Sequence, residues 1–482
     1  MRWTRRQAVS GLAATLALSG CQVSPGTGRQ DFNIVSPDEE RQMGREAHPQ
    51  ILKEFGGAYD SPRLQAYVAG LGQRLARNTE TPGDDFRFTV LNSDIVNAMA
   101  LPGGYVYVTR GLLALTGNEA ELAGVLGHEI GHVTARHSAQ RYSRAMAANI
   151  GIGILGAVLG TPGVSDIAGL GASYWLSAYS QENEFEADSL GVRYLSRSGW
   201  NAEAMASMLT KLRQHSRLEA IEAGRDPDTV DETHFMATHP RTADRVEAAI
   251  RHALGAPPQG ALGEDSFLDA VDGMTYGDDP EQGVVRGRVF AHPSLGFRFE
   301  APPGFRLTNG DKAVVARDPQ GAAVIFDSAR DGGDPLTHIQ RTWMPKARLS
   351  GAERIEVNGM AAATAATRGR TRQGAVDVRL VAIRFDPDTL YRFTFVSPTG
   401  RTAGLGEGFR RATYSFRALA ADEKRAIRPL TVQVVRVKAG DTAESLGARM
   451  AVDDHKVERF RVINGLGDGG QPKPGSRVKL VS

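Results

Sequence analysis

Hydrophobic and polar positions change their period several times along the 482 residues, and each change marks an expected element. Residues 86–91 (Phe86-Arg87-Phe88-Thr89-Val90-Leu91) alternate as a half-buried strand does. Residues 105–109 alternate again, directly after the turn Pro102-Gly103-Gly104. Over 119–137 the period lengthens, and Leu122, Val125, Leu126 and Ile130 recur at helical spacing. Residues 145–171 are apolar and glycine-rich, but the longest uninterrupted part, 145–160, is shorter than the roughly 20 residues that cross a bilayer, and Asn149 interrupts it. A buried or substrate-facing helical hairpin is expected there, with further helices over 182–195 and 202–223. Residues 255–283, rich in Gly, Pro and Asp, read as a linker. Beyond it Phe297-Arg298-Phe299-Glu300 alternates, and 378–385 and 390–396 flank Asp386-Pro387-Asp388-Thr389 as a hairpin. A helix near 402–414 makes this second region α+β.

Length rules out a single core, at roughly 100–200 residues per domain. A content of 41% hydrophobic and 23% charged residues fits a folded globular protein, and a net charge of +2 leaves nothing for nucleic acid to explain. The single cysteine, Cys21, excludes a disulfide framework and a Cys-rich zinc site. Before it stand Arg2, Arg5 and Arg6, an apolar stretch over 8–18, and Leu18-Ser19-Gly20-Cys21. This is the order of a secretory signal, with an apolar part too short for a membrane span. The last four residues resemble the lipobox of bacterial lipoproteins, which implies lipidation at Cys21 and a membrane held by a lipid anchor. Gln22, where an aspartate would resemble an inner-membrane retention signal, points to the periplasmic side of the outer membrane. Thr4-Arg5-Arg6 resembles a twin-arginine signal, so export by a Sec or a twin-arginine route is expected.

The strongest chemical signal is His128-Glu129-Ile130-Gly131-His132. Positions i and i+4 of a helix share a face, so both imidazoles can reach one cation, and neutral imidazole suits zinc. Glu129 sits beside that metal, where it can take a proton from water as the general base. A catalytic zinc needs three protein ligands and one open position, so a third ligand must exist. Glu182-Asn183-Glu184-Phe185-Glu186-Ala187-Asp188 supplies it: Glu184 and Asp188 share a helical face, while Glu186 points elsewhere. One carboxylate can bind the metal and the other can accept the second N–H of a ligand histidine. His137, five positions after His132, falls off the metal face and is expected to be structural.

These segments, together with Asn97-Ala98-Met99-Ala100-Leu101-Pro102-Gly103-Gly104, Arg136-His137, Thr238-His239-Pro240 and Arg245, resemble the HtpX/BepA/CAAX-prenyl-protease family of zinc peptidases, over about 39–253. The resemblance implies Glu184 as third ligand, Asp188 as the residue orienting His128, and one zinc ion per chain. It places His239 and Arg245 near the open position. His239 would either stabilise the oxyanion or cap the metal, and the sequence does not choose. It also implies that Tyr105, Val106, Tyr107 and Val108 form the edge strand to which an extended substrate adds. The implied activity is a zinc metalloendopeptidase of the envelope acting on unfolded or misassembled proteins. The rivals are a chaperone or scaffold with a capped site, and a peptidase cutting peptidoglycan cross-links.

At the C-terminus Val437-Lys438-Ala439-Gly440-Asp441-Thr442, Asn464-Gly465-Leu466 and Lys473-Pro474-Gly475 resemble a LysM module, which implies a β-α-α-β fold and binding to peptidoglycan. Phe290, His292-Pro293 and 297–305 resemble PsbP/Mog1-like domains, and no catalytic constellation is visible there. The expected protein is therefore multidomain. A signal peptide with lipobox (1–21) and a tether (22–37) lead into an α-rich α+β zincin-type peptidase domain (38–254). A linker (255–283), a second α+β domain (284–420) and a small LysM-like β-α-α-β module (431–482) follow.

Overall fold

The computed structural model describes residues 21–146, 176–228, 239, 260–310, 312–371 and 374–482. The expected signal over 1–20, most of the apolar stretch 145–171, and Thr238, Pro240 and Arg245 lie outside the described residues. The chain forms two compact units, one of residues 1–274 with 431–482 and one of residues 275–430. Among the described residues no helix is long and apolar enough to cross a membrane.

The first unit opens with a hairpin, β1 (Cys21–Val23) against β2 (Gln30–Phe32). Residues 22–37 are thus not a free tether: Ser24, Asn33 and Val35 are buried. Ser36 then caps α1 (Pro37–Glu54) in a reciprocal capping box with Glu39, and Ser61 caps α2 (Pro62–Ala76). Three strands follow, β3 (Arg87–Leu91), β4 (Ala98–Leu101) and β5 (Tyr105–Thr109), in the order β3-β5-β4. Strand β5 runs parallel to β3 and antiparallel to β4, so both of its edges are occupied. This corrects the expectation of a substrate edge at Tyr105, Val106, Tyr107 and Val108, all of them buried. Alternation along a strand reports its faces and carries no information about its edges.

Helix α3 (Arg110–Leu115) leads into α4 (Glu119–Thr134), which carries the HExxH segment and is buried around nearly its whole circumference. It packs on α5 (Gln181–Arg197) and α6 (Glu203–Glu222). Glycines permit the closest of these approaches. A Cβ on Gly127 would stand 3.2 Å from the carbonyl oxygen of Gly191, and one on Gly191 would stand 3.0 Å from the amide nitrogen of His128. Any larger residue at either place would push apart the two helices that carry the candidate ligands.

The expected linker is partly folded. Helix α7 (Glu264–Val271) buries Phe267, Leu268 and Val271, a short apolar stripe masked in the sequence by flanking Asp and Gly. Against it lie the C-terminal elements in the order strand Leu430–Arg436, helix Ala443–Gly447, helix Lys456–Ile463 and strand Arg477–Val481. Residues 431–482 belong to the first unit instead of standing apart. Arg477 pairs with Asp265 at 3.1 Å and with Asp269 at 2.5 Å. Lys479, 1% exposed, donates from Nζ to the carbonyl of Ala114 at 2.6 Å and to that of Thr116. These carbonyls close α3, two residues before Asn118 caps α4.

The second unit is built on an antiparallel sheet of seven strands: β6 (Arg306–Asn309), β7 (Val314–Arg317), β8 (Ala323–Arg330), β9 (Ser350–Val357), β10 (Met360–Thr371), β11 (Gly374–Arg384) and β12 (Thr389–Pro398). Their order is β6-β7-β8-β12-β11-β10-β9. The hairpin read around residues 386–389 is β11–β12, and α8 (Thr402–Ser415) is the helix read near 402–414. One face of the sheet buries Phe326, Phe393 and Phe395 with Phe297, Phe299, Phe409 and Phe416.

Candidate metal centre

The site begins with a well-terminated helix. Asn118 accepts the amide of Glu121 at 2.9 Å, and Glu119 and Glu121 place negative charge at the positive end of α4. At the other end, Gly26 N–H donates to the carbonyl of Thr134 at 3.0 Å and the Ser24 hydroxyl to that of Ala135 at 3.0 Å. The β1–β2 hairpin thus satisfies carbonyls that a helix C-terminus leaves without partners. Between these caps one turn separates His128 from His132, and their Nε2 atoms stand 3.0 Å apart.

Helix α5 brings Glu184 to the same point. Its Oε1 lies 3.4 Å from His132 Nε2, and its Oε2 lies 3.6 Å from His128 Nε2. His239 enters too, with Nδ1 at 3.2 Å from His128 Nε2 and 3.0 Å from Glu184 Oε1. One donor atom from each of the four residues lies within 4.8 Å of the other three, and all four side chains are buried. Glu129 is fully buried beside them, with Oε1 3.5 Å from His239 Nε2, yet neither carboxylate oxygen has a hydrogen-bond partner. A buried carboxylate without a partner and convergent imidazole and carboxylate donors are the chemistry of a zinc site.

Each histidine of the pair is held from behind. Asp188 Oδ1 lies 2.9 Å from His128 Nδ1, one turn beyond Glu184 on α5. The support for His132 is longer: Nδ1 meets His137 Nδ1 at 2.8 Å, and His137 Nε2 meets Glu186 Oε2 at 2.9 Å. With His132 Nε2 turned to the metal cluster, its Nδ1 carries the hydrogen. His137 then accepts at Nδ1 and donates from Nε2 to Glu186. Backbone geometry makes this return possible. Arg136 follows the helix in the left-handed region at φ 60°, held by its side chain to Glu40 Oε1 at 2.6 Å and to the carbonyl of Val35 at 2.7 Å. Tyr179 stacks on His132 with ring centroids 4.0 Å apart.

Burial sets the electrostatics. It pushes the Glu129 carboxyl up, against the pull of His239 and His128. Burial also pushes His132 well below the usual imidazole value, which keeps it neutral for ligation. For Glu184 burial acts upward, but the charge of His239 and hydrogen bonds from His132 and His239 outweigh it and hold the carboxylate well below its ordinary range. His137 is likewise lowered by burial.

The structure therefore gathers His128, Glu129, His132, Glu184, Asp188 and His239 at one place. Two residues were misread from the sequence: His137 and Glu186 belong to the site's support. The five-residue spacing of His132 and His137 assumes a continuous helix, and the turn at Arg136 breaks that assumption.

Peptidase family M48 matches residues 62–253, a span holding all four donors and Glu129. The likeness to that family is carried by this segment of the chain. M48 metallopeptidases use zinc, and the His-His-Glu-His cluster can hold it. The chain is similar to the beta-barrel assembly-enhancing protease of Yersinia pestis, 33% identical over 267 residues, or 53% of this chain and 52% of that protein. The mitochondrial metalloendopeptidase OMA1 of Schizosaccharomyces pombe is 27% identical over 231 residues, or 46% of this chain and 63% of that protein. The chain thus spans about half the length of the first of these relatives. Among solved structures, cyanobacterial PsbP from Synechocystis is similar at 16% identity and a TM-score of 0.23, covering 30% of this chain and 98% of that one.

Proposed function

We propose that the protein is a zinc-dependent metalloendopeptidase of the bacterial envelope, with quality control of misassembled outer-membrane proteins as its task. The observation that carries the reading is the convergence of His128, His132 and Glu184 beside the buried carboxylate of Glu129, neither oxygen of which has a hydrogen-bond partner. The name of the Yersinia pestis relative supports β-barrel proteins as the substrate class. When bound, zinc supplies Lewis acidity, lowering the pKa of water and polarising a carbonyl. Glu129, raised by burial, accepts the proton from water and returns it to the leaving amine. Asp188 orients His128, and Glu186 acts through His137 on His132. An extended substrate adds to β4, whose outer edge pairs with no strand among the described residues.

Cys21 carries the lipid anchor and holds the enzyme to the periplasmic side of the outer membrane, while residues 431–482 act as a LysM-like module for peptidoglycan. The position of His239 favours a second feature of the same reading, a resting site in which its imidazole caps the metal. Arg245 is assigned to the substrate side of the open position on family likeness alone.

Glu129→Gln tests the core of this reading. The variant should keep one zinc per chain, measured by atomic absorption, and lose casein cleavage by about 10²–10⁴-fold. Full activity in that variant would overturn the assignment.

A further inference from the structure

Among its described residues the second unit holds none of the clustered metal donors, yet it holds a cleft of about 1460 Å³ between the sheet and α8. The volume exceeds the roughly 300–1,000 Å³ of pockets for small molecules. The core side chains of Val381, Phe395 and Phe409 close it from beneath, and the half-buried Ile355 of β9 and the exposed ring of Tyr414 of α8 give it accessible apolar surface. Buried hydroxyls of Thr364, Ser397 and Thr413 interrupt that floor.

The rim is cationic. Lys346, Arg348, Arg368, Arg379 and Arg410 line it, against the two carboxylates of Glu353 and Asp377. Asp377 is already engaged, by Arg368 at 3.2 Å and the Thr402 hydroxyl at 2.6 Å. Lys346, Arg348 and Arg410 are exposed and have no carboxylate partner among the described residues. An occupant must therefore bring negative charge to the rim and apolar groups to the floor, over a length greater than one small molecule.

We propose that this cleft binds an extended acidic polypeptide segment in which apolar and carboxylate side chains alternate. Successive side chains of an extended chain point to opposite sides. One set can then pack on Ile355 and Tyr414 while the other reaches Arg348 and Arg410. Arginine supplies paired donors in the geometry of a carboxylate. The site is distinct from the metal centre, and its failure would leave the peptidase reading untouched.

The test uses the full chain carrying Glu129→Gln, so that the probe is not cleaved. A fluorescein-labelled peptide of about ten residues, alternating Glu and Val, is titrated by fluorescence anisotropy. Binding is expected, with none for the counterpart in which Lys replaces Glu. The double change Arg348→Glu with Arg410→Glu should weaken it by about tenfold or more. Lys346→Glu, on the exposed loop, should weaken it in the same direction. No binding by the Glu129→Gln chain, or affinity unchanged by both charge reversals, overturns the proposal. So does capture of phosphatidylglycerol vesicles that depends on Arg348 and Arg410 while the peptide fails to bind.

Discussion

Nδ1 of His239 stands 3.0 Å from Oε1 of Glu184, close enough to place a fourth donor inside a cluster that catalysis needs with only three. Capping and oxyanion stabilisation make opposite demands on this imidazole. A cap removes the coordination position that water requires, whereas an oxyanion donor leaves it open.

His239→Ala separates the two. Capping predicts that cleavage of casein rises by about tenfold or more, the change that roughly 1.4 kcal/mol of capping energy would bring. Zinc should remain bound through His128, His132 and Glu184, as metal analysis of the dialysed protein would report. A fall in cleavage with zinc retained would instead assign His239 to the oxyanion.

His137→Ala and Glu186→Gln should each lower zinc affinity by about 10–100-fold, because each breaks the chain that orients His132. Competition against a chromophoric chelator measures this without any turnover. Unchanged affinity in both variants would return His137 to a purely structural role.

Lys479 gives a pH signature. Burial, aided by the charge of Lys211 and opposed by Glu121, holds its ammonium well below the ordinary lysine value. Between the folded value and the unfolded one near 10.5, unfolding therefore takes up a proton, so stability climbs with pH across that window. Lys479→Met should flatten the climb. Thermal melts of both proteins between about pH 7 and pH 10 compare the slopes, and parallel curves would refute the shift.

The convergence of the candidate ligands was legible because helical spacing is rigid: four residues place His128 above His132 and Glu184 beside Asp188 whatever surrounds them. Relationships that depend on the chain changing direction were not. The left-handed turn at Arg136 reverses His137 onto His132, and nothing in the side-chain pattern announces it. The edge of the sheet was misjudged at β5 because pairing order is a property of the assembled strands. Residues 22–37 and 264–271 read as loose segments because their value lies in capping and covering other elements, through a hydroxyl at Ser24 and a ring at Phe267, not in long apolar runs. The position of residues 431–482 was equally hidden, since it rests on contacts such as those of Lys479 with carbonyls more than three hundred positions earlier and of Arg477 with Asp265 and Asp269.

The hydrogen bond from Ser24 to the last turn of α4 has a mechanical meaning if Cys21 carries acyl chains. Only three positions separate the two residues, a leash of about 10 Å at full extension. Such an enzyme could not sweep a volume of periplasm. It would work as a fixed blade at the bilayer surface, cutting only chains that are presented at that height, and lengthening the leash would widen its diet.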